Sequence, residues 1–150
     1  MIKNKLEKLG IALPPAATPA FEYVPVTVHE RLAFVSGQLP RRGDTFVCGK
    51  LGDSVDLEAG REAARLCILQ ALACLEHALG SLDRIDKVLK LTGFVASAPG
   101  FNQQPKVIDA ASELLVQVFG ESGRHARSAV GVAELPRNVA VEIELIVALN

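Results

Sequence analysis

The sequence predicts a single-domain α+β fold in which a mixed or mainly antiparallel sheet carries two helices on one face. Two segments repeat apolar residues at spacings of three and four, the signature of an amphipathic helix. Five shorter runs have strand-like composition, and the order along the chain is strand, strand, helix, strand, helix, strand, strand. The 150 residues, 49% hydrophobic and 22% charged, have the balance of one globular domain. A chain of this length buries roughly two-thirds of its unfolded surface.

Residues 2–10 read as a short helix with Leu6 and Leu9 on one side and Gly10 as its stop. Residues 11–20 carry Pro14, Pro15 and Pro19, so they read as an extended lead-in. Tyr23 to His29 and Arg31 to Ser36 are strand-like, with a tight turn at His29-Glu30. Ser36-Gly37-Gln38-Leu39-Pro40 ends the second strand, and the polar, glycine-rich residues 41–56 read as a loop. Residues 57–79 give the strongest helix, with Ala64, Cys67, Ile68, Ala71, Leu72, Leu75, Ala78 and Leu79 on one stripe. Asp56 suits its N-cap and Gly80 its C-cap. Val88 to Ala96 is strand-like, and Pro99-Gly100 breaks it. The second helix runs from Gln104 to Phe119 on Ile108, Ala111, Leu114, Leu115 and Val118, closed by Gly120. Arg127 to Ala133 and Val139 to Ala148 are the last strands, joined by Glu134-Leu135-Pro136-Arg137-Asn138.

Helices on one face leave the other face of the sheet bare. Val24, Val26 and Val28 alternate with Tyr23, Pro25 and Thr27, and Val141, Ile143, Leu145 and Val147 with Glu142, Glu144, Ile146 and Ala148. Neither strand has a fully polar side, so a second copy of the chain is expected to cover the bare face.

Sixteen Lys and Arg against seventeen Asp and Glu give a net charge of -1, with no basic stripe, which argues against nucleic-acid binding. The absence of Trp and a single Tyr leave few side chains for base stacking. Three cysteines, an odd number, fit a reducing compartment better than a disulfide framework. No stretch reaches the ~18 consecutive apolar residues of a membrane span, and the N-terminus lacks a signal-peptide core. A cytoplasmic protein is the expectation.

Period-two alternation puts Glu142 and Glu144 on one side of the last strand, beside Ala140, Ile146 and Ala148. Two readings stand: solvated carboxylates, favoured because Asp and Glu are rarely buried, or a carboxylate set in a pocket. Arg127 shares a side with the small residues Ala129, Gly131 and Ala133, so its guanidinium should project over a hollow. Its planar fork suits a carboxylate. For Arg124 a solvated loop is the better reading; His125 is undecided. Cys67, Cys74 and His77 lie near one helical face, where buried small hydrophobes are a better reading than metal ligands. No nucleophilic dyad can be assigned, and no glycine-rich phosphate loop is present.

Three segments together carry a resemblance: Ser36-Gly37-Gln38-Leu39-Pro40, His125-Ala126-Arg127-Ser128-Ala129-Val130, and Leu135-Pro136 followed by Val141-Glu142-Ile143-Glu144. From about Tyr23 to Ala148 the chain resembles the Rid family, the reactive intermediate deaminases also called YjgF or L-PSP endoribonuclease-like proteins. Its longer N-terminus resembles a branch of roughly 150-residue members. The resemblance implies a chorismate-mutase-like (ferredoxin-like) fold, a homotrimer with ligand clefts between subunits, and no cofactor. It implies hydrolysis of 2-imino and 2-enamino acids to 2-keto acids and ammonia. By the same resemblance Arg127 grips the substrate carboxylate, Glu142 orients the attacking water, and Tyr23, Ser36, Gly37 and Ala129 line the cleft. Ala129 stands where many members have Cys or Ile, and Pro105 where many have Asn. Two other functions remain: a carboxylate-binding protein without turnover, and the endoribonuclease of the family's older label, against which charge and aromatic scarcity argue.

Overall fold

A computed structural model describes residues 1–150. It contains helices α1 (Ile2–Lys8), α2 (Leu57–Leu79) and α3 (Gln104–Phe119). The strands are β1 (Val26–His29), β2 (Leu32–Gln38), β3 (Arg41–Arg42), β4 (Thr45–Phe46), β5 (Ile85–Ala96), β6 (Ala126–Val132) and β7 (Val141–Leu149). Five strands form one sheet in the order β1-β2-β7-β5-β6; β3 and β4 make a separate ribbon. Only the β5–β6 pair is parallel, and α3 is its crossover. The last strand is therefore central, between β2 and β5.

Both long helices form where their apolar period and caps predict. The Asp56 carboxylate accepts the Ala59 amide at 2.8 Å, and Gly80 ends α2 at φ 82. That left-handed turn suits glycine. The buried face of α2 alternates alanine with larger side chains, which lets Ala63, Ala64, Cys67, Ile68, Ala71 and Leu75 press against the sheet. From β7, Val141, Ile143, Leu145 and Val147 enter the same core. Gly93 of β5 makes room for α3: a Cβ there would lie 2.5 Å from Ile108 Cδ1.

Predicted boundaries shift in several places; β5 begins at Ile85 and β7 at Val141. The first strand begins at Val26 rather than Tyr23, because Pro25 has no N–H for the ladder. Segment 41–56 is not loop throughout: Arg41–Arg42 and Thr45–Phe46 pair as the small ribbon, and Phe46 lies under the guanidinium groups of Arg41 and Arg137 at 5.8 and 5.1 Å. The N-terminal extension is tied down: Leu6 is in the core, Ile11 and Leu13 pack against it, and the Ile2 amide donates to Asp83 Oδ1 at 2.7 Å.

The helices cover one face of the sheet. On the other, register aligns Leu32 with Ala148, Phe34 with Ile146, and Phe94 with both Glu142 and Val130. Leu32, Phe34 and Val130 remain 37%, 41% and 44% exposed, apolar surface that nothing in the chain covers, while Lys90, Thr92, Ser128 and Glu144 share the same face. No helix is long and apolar enough to cross a membrane.

Candidate functional site

Alternation along β7 puts Glu142 on this open face, and an irregularity in β2 decides what packs beside it. Val35 pairs with Leu145 and Gln38 with Ile143, so three steps along β2 match two along β7. The extra residue is a bulge at Ser36-Gly37, a device that re-aims side chains at the edge of a site. The Ser36 amide donates to Pro25 O at 2.8 Å and its hydroxyl to Val24 O at 2.7 Å. This fastens the segment bearing the exposed Tyr23 beside the bulge. Gly37 leaves the space that Glu142 fills: a Cβ on Gly37 would lie 2.9 Å from Glu142 Cδ. Ser36, Gly37 and Glu142 thus form one group, and the tethered Val24 and Pro25 bring Tyr23, the residue before them in the chain, to the same end of the sheet. Glu142 is half-buried, and burial, with the charge of Glu144 second, pushes its carboxyl above the ordinary glutamate value of 4.5.

Arg127 belongs to a different place. Its register partner on β5 is Leu91, a core residue, so Arg127 points to the helix side of the edge strand β6. Alternation correctly groups it with Ala129 and Gly131, but the expected hollow is occupied by the N-terminal half of α3. Ala129 packs against the core, and a Cβ on Gly131 would meet Gln104 and Ser97. Arg127 Nη1 donates to Asp109 Oδ1 and to Ser112 Oγ, both at 3.2 Å, and Nη2 to Pro105 O at 3.4 Å. Two acceptors occupy the two Nη1 protons. A carboxylate gripped by two parallel hydrogen bonds must therefore use the Nε/Nη2 edge. A cleft of about 220 Å³ opens beside this group, lined by Asp109, Ser112, Val116, Arg124, His125 and Arg127.

Within one chain the two groups do not meet. Glu142 and Arg127 are on opposite faces of the sheet, two strands and three residues apart, roughly 10 Å in each direction by sheet spacing. The sequence leaves two partners of Arg127 unassigned, Asp109 and Ser112. They are three apart on α3, one polar row beside its apolar stripe, and that row was the available signal; the third partner is the main-chain carbonyl of Pro105. His125 closes the row, with Nε2 2.8 Å from Ser112 Oγ and Nδ1 2.6 Å from Gly123 O.

The remaining candidates are elsewhere. Cys67 is buried 3.6 Å from Val141 O, and Cys74 faces Gln38 Oε1 at 3.6 Å. Burial raises both thiol pKa values, Cys67 the more strongly, as expected of small hydrophobes. His77 is exposed and, with Cys74, borders a cleft of about 360 Å³ beneath residues 16–19. No three His, Cys, Asp or Glu side chains converge as metal ligands would.

Comparison with known proteins adds to this geometry. Residues 3–149 match the family described as "YjgF/chorismate_mutase-like, putative endoribonuclease". An Agrobacterium tumefaciens protein of unknown function, Atu1372, is similar at 47% identity, with 99% of this chain and 92% of that one covered and a TM-score of 0.92. A Shewanella oneidensis structure is similar at 31% identity, 99% of each chain and a TM-score of 0.96. A 2-iminobutanoate/2-iminopropanoate deaminase from Dermatophagoides farinae is 31% identical over 93% of this chain and 95% of that one. With the five-stranded sheet, its bulge beside Glu142 and the match over nearly its whole length, the chain belongs to the YjgF/Rid family and has its chorismate-mutase-like fold.

Proposed function

We propose that this protein is a deaminase that hydrolyses reactive 2-imino and 2-enamino acids to 2-keto acids and ammonia. Its sites are clefts between the subunits of a homotrimer. The observation that carries the reading is the state of Arg127, which α3 fastens through two hydrogen bonds from Nη1 and a long one from Nη2, so that the Nε side is the one turned to a carboxylate. Glu142 supplies the other half: a half-buried carboxylate with a raised pKa can both take and return a proton. Because the two groups occupy opposite faces of one chain, Arg127 of one copy meets Glu142 of a neighbour that packs on the open sheet face. Tyr23, Ser36 and Gly37 of the neighbour form the wall around its Glu142, and Ala129 follows Arg127 on the first.

The chemistry asks little beyond placement. An imine carbon is already electrophilic, so the reaction needs no cofactor. With the carboxylate held on Arg127, Glu142 takes one proton of the water as the water oxygen adds to the protonated imine, giving a neutral carbinolamine. Glu142 returns that proton to the amino group. The C–N bond then breaks as the hydroxyl O–H electron pair forms the C=O. The hydroxyl proton passes to the Glu142 carboxylate and on to the departing ammonia, leaving the 2-keto acid and ammonium. A 2-enamino acid is first protonated at C3 to reach the imine. The similarity to a deaminase supports this reading. The test is the rate of 2-keto acid formation from an imino acid made in situ by an amino-acid oxidase. The protein accelerates it, Arg127→Ala loses binding and turnover, and Glu142→Gln loses turnover but still binds a 2-keto acid. Turnover no faster than in buffer, with 2-keto acid binding retained, would leave the carboxylate-binding function instead.

A further inference from the structure

We infer that Ser112 and His125 are positioning residues for Arg127, forming a one-way hydrogen-bond chain that fixes which edge of the guanidinium meets the substrate. The inference rests on the carboxylate-anchor role of Arg127 proposed above. The direction follows from one fixed end. The Gly123 carbonyl can only accept, so at 2.6 Å His125 Nδ1 must carry a proton. In the neutral ring Nε2 is then a bare acceptor, and the Ser112 hydroxyl 2.8 Å away donates to it. With its proton committed to the ring, Ser112 Oγ presents lone pairs to Arg127 Nη1 at 3.2 Å. Each link fixes the polarity of the next.

The chain solves a local problem. A serine within a helix, free to rotate, turns its hydroxyl back to the carbonyl four residues earlier, here Ile108. It could equally turn to the Asp109 carboxylate, which shares Nη1 with it. Either rotation points the proton away from His125 and changes what Arg127 meets. His125 removes that freedom. With Asp109 and Ser112 together occupying Nη1, the guanidinium cannot swivel to offer its Nη1/Nη2 end without breaking two hydrogen bonds. The polar row on α3 and the histidine before β6 therefore select the Nε/Nη2 edge. Arg124, the other cation in the cleft, is paired with Glu121 at 2.9 Å.

The test is the division of effect between KM and kcat in the imino-acid assay. A loosened anchor weakens ground-state and transition-state binding alike, so it raises KM and leaves kcat nearly unchanged. Ser112→Ala is expected to raise KM about tenfold, comparable to losing one hydrogen bond to a charged group. Ser112→Thr keeps the hydroxyl and restores KM to within about threefold of the wild type. His125→Phe, which removes the acceptor, raises KM; His125→Gln, whose amide oxygen can accept, raises it less. Isothermal titration with a 2-keto acid should show the same order in Kd. An unchanged KM in Ser112→Ala overturns the inference, as does a loss confined to kcat. Arg127→Ala separates the two levels. If it abolishes binding while Ser112→Ala changes nothing, the anchor stands and the positioning chain fails; if it leaves binding intact, the anchor itself fails.

Discussion

Gly37→Ala tests the placement of Glu142 without touching the carboxylate anchor. Gly37 has no positive φ, so alanine fits the backbone there and by itself lowers the entropy of the unfolded chain. The added Cβ would stand 2.9 Å from Glu142 Cδ and 3.1 Å from Cγ and Oε1. Carbon atoms rest about 3.5 Å apart or more, so the carboxyl group must move by at least ~0.6 Å. Because the obstructed atoms end a flexible side chain, the cost to folding is small and the melting temperature should stay within about 3 °C of wild type. The cost to catalysis is larger. Misplacing a reacting group by about 1 Å can cost a hundredfold, so kcat should fall about ten- to a hundredfold. KM should hold, because the Arg127 that meets this Glu142 comes from the neighbouring copy and is fastened by its own α3 through Asp109 and Ser112. The assay is 2-keto acid release from an imino acid generated in situ, run alongside thermal unfolding. A variant with wild-type melting and wild-type kcat refutes the reasoning, since Glu142 would then not need its position.

Glu142 also gives a pH prediction. Its folded pKa is raised, so between pH 4.5 and that value the folded state binds more protons than the unfolded state, and stability falls as pH rises through the window. Glu142→Gln should therefore raise the melting temperature at neutral pH, with the gain disappearing below pH 4.5, and the acid limb of wild-type kcat should lie above 4.5. Phe34→Asp places a charge among the exposed apolar side chains of the open sheet face, so light scattering should show a smaller species with activity lost in step.

The helices were legible because each rule points the same way. In α2 the apolar period, the Asp56 cap and the left-handed Gly80 agree, and the structure starts and stops the helix at those residues. The ribbon at Arg41–Phe46 was not legible: two-residue strands carry no period, and what holds Phe46 is a pair of arginines, one of them 91 positions away at Arg137. The site was legible by residue more than by arrangement. Alternation puts Arg127 on one side of its strand with Ala129 and Gly131, but it cannot say that α3 fills that side. It likewise puts Glu142 on the apolar face, but its half-burial comes from the bulge at Ser36-Gly37, a break in the period that sequence alternation does not register. His125 was undecidable from its neighbours, because its partners are the hydroxyl of Ser112 on another element and a main-chain carbonyl.

The most direct measurement mixes two inactive proteins. Arg127→Ala keeps Glu142, and Glu142→Gln keeps Arg127; under the proposed function neither assembly alone has a complete site. After the subunits are dissociated and reassociated at equal amounts, a cleft between two copies draws an intact Arg127 from one neighbour and an intact Glu142 from the other in about one case in four. The account predicts roughly a quarter of wild-type activity from that mixture. A mixture that stays inactive after proven subunit exchange would contradict it, because Arg127 and Glu142 would then have to act from the same chain.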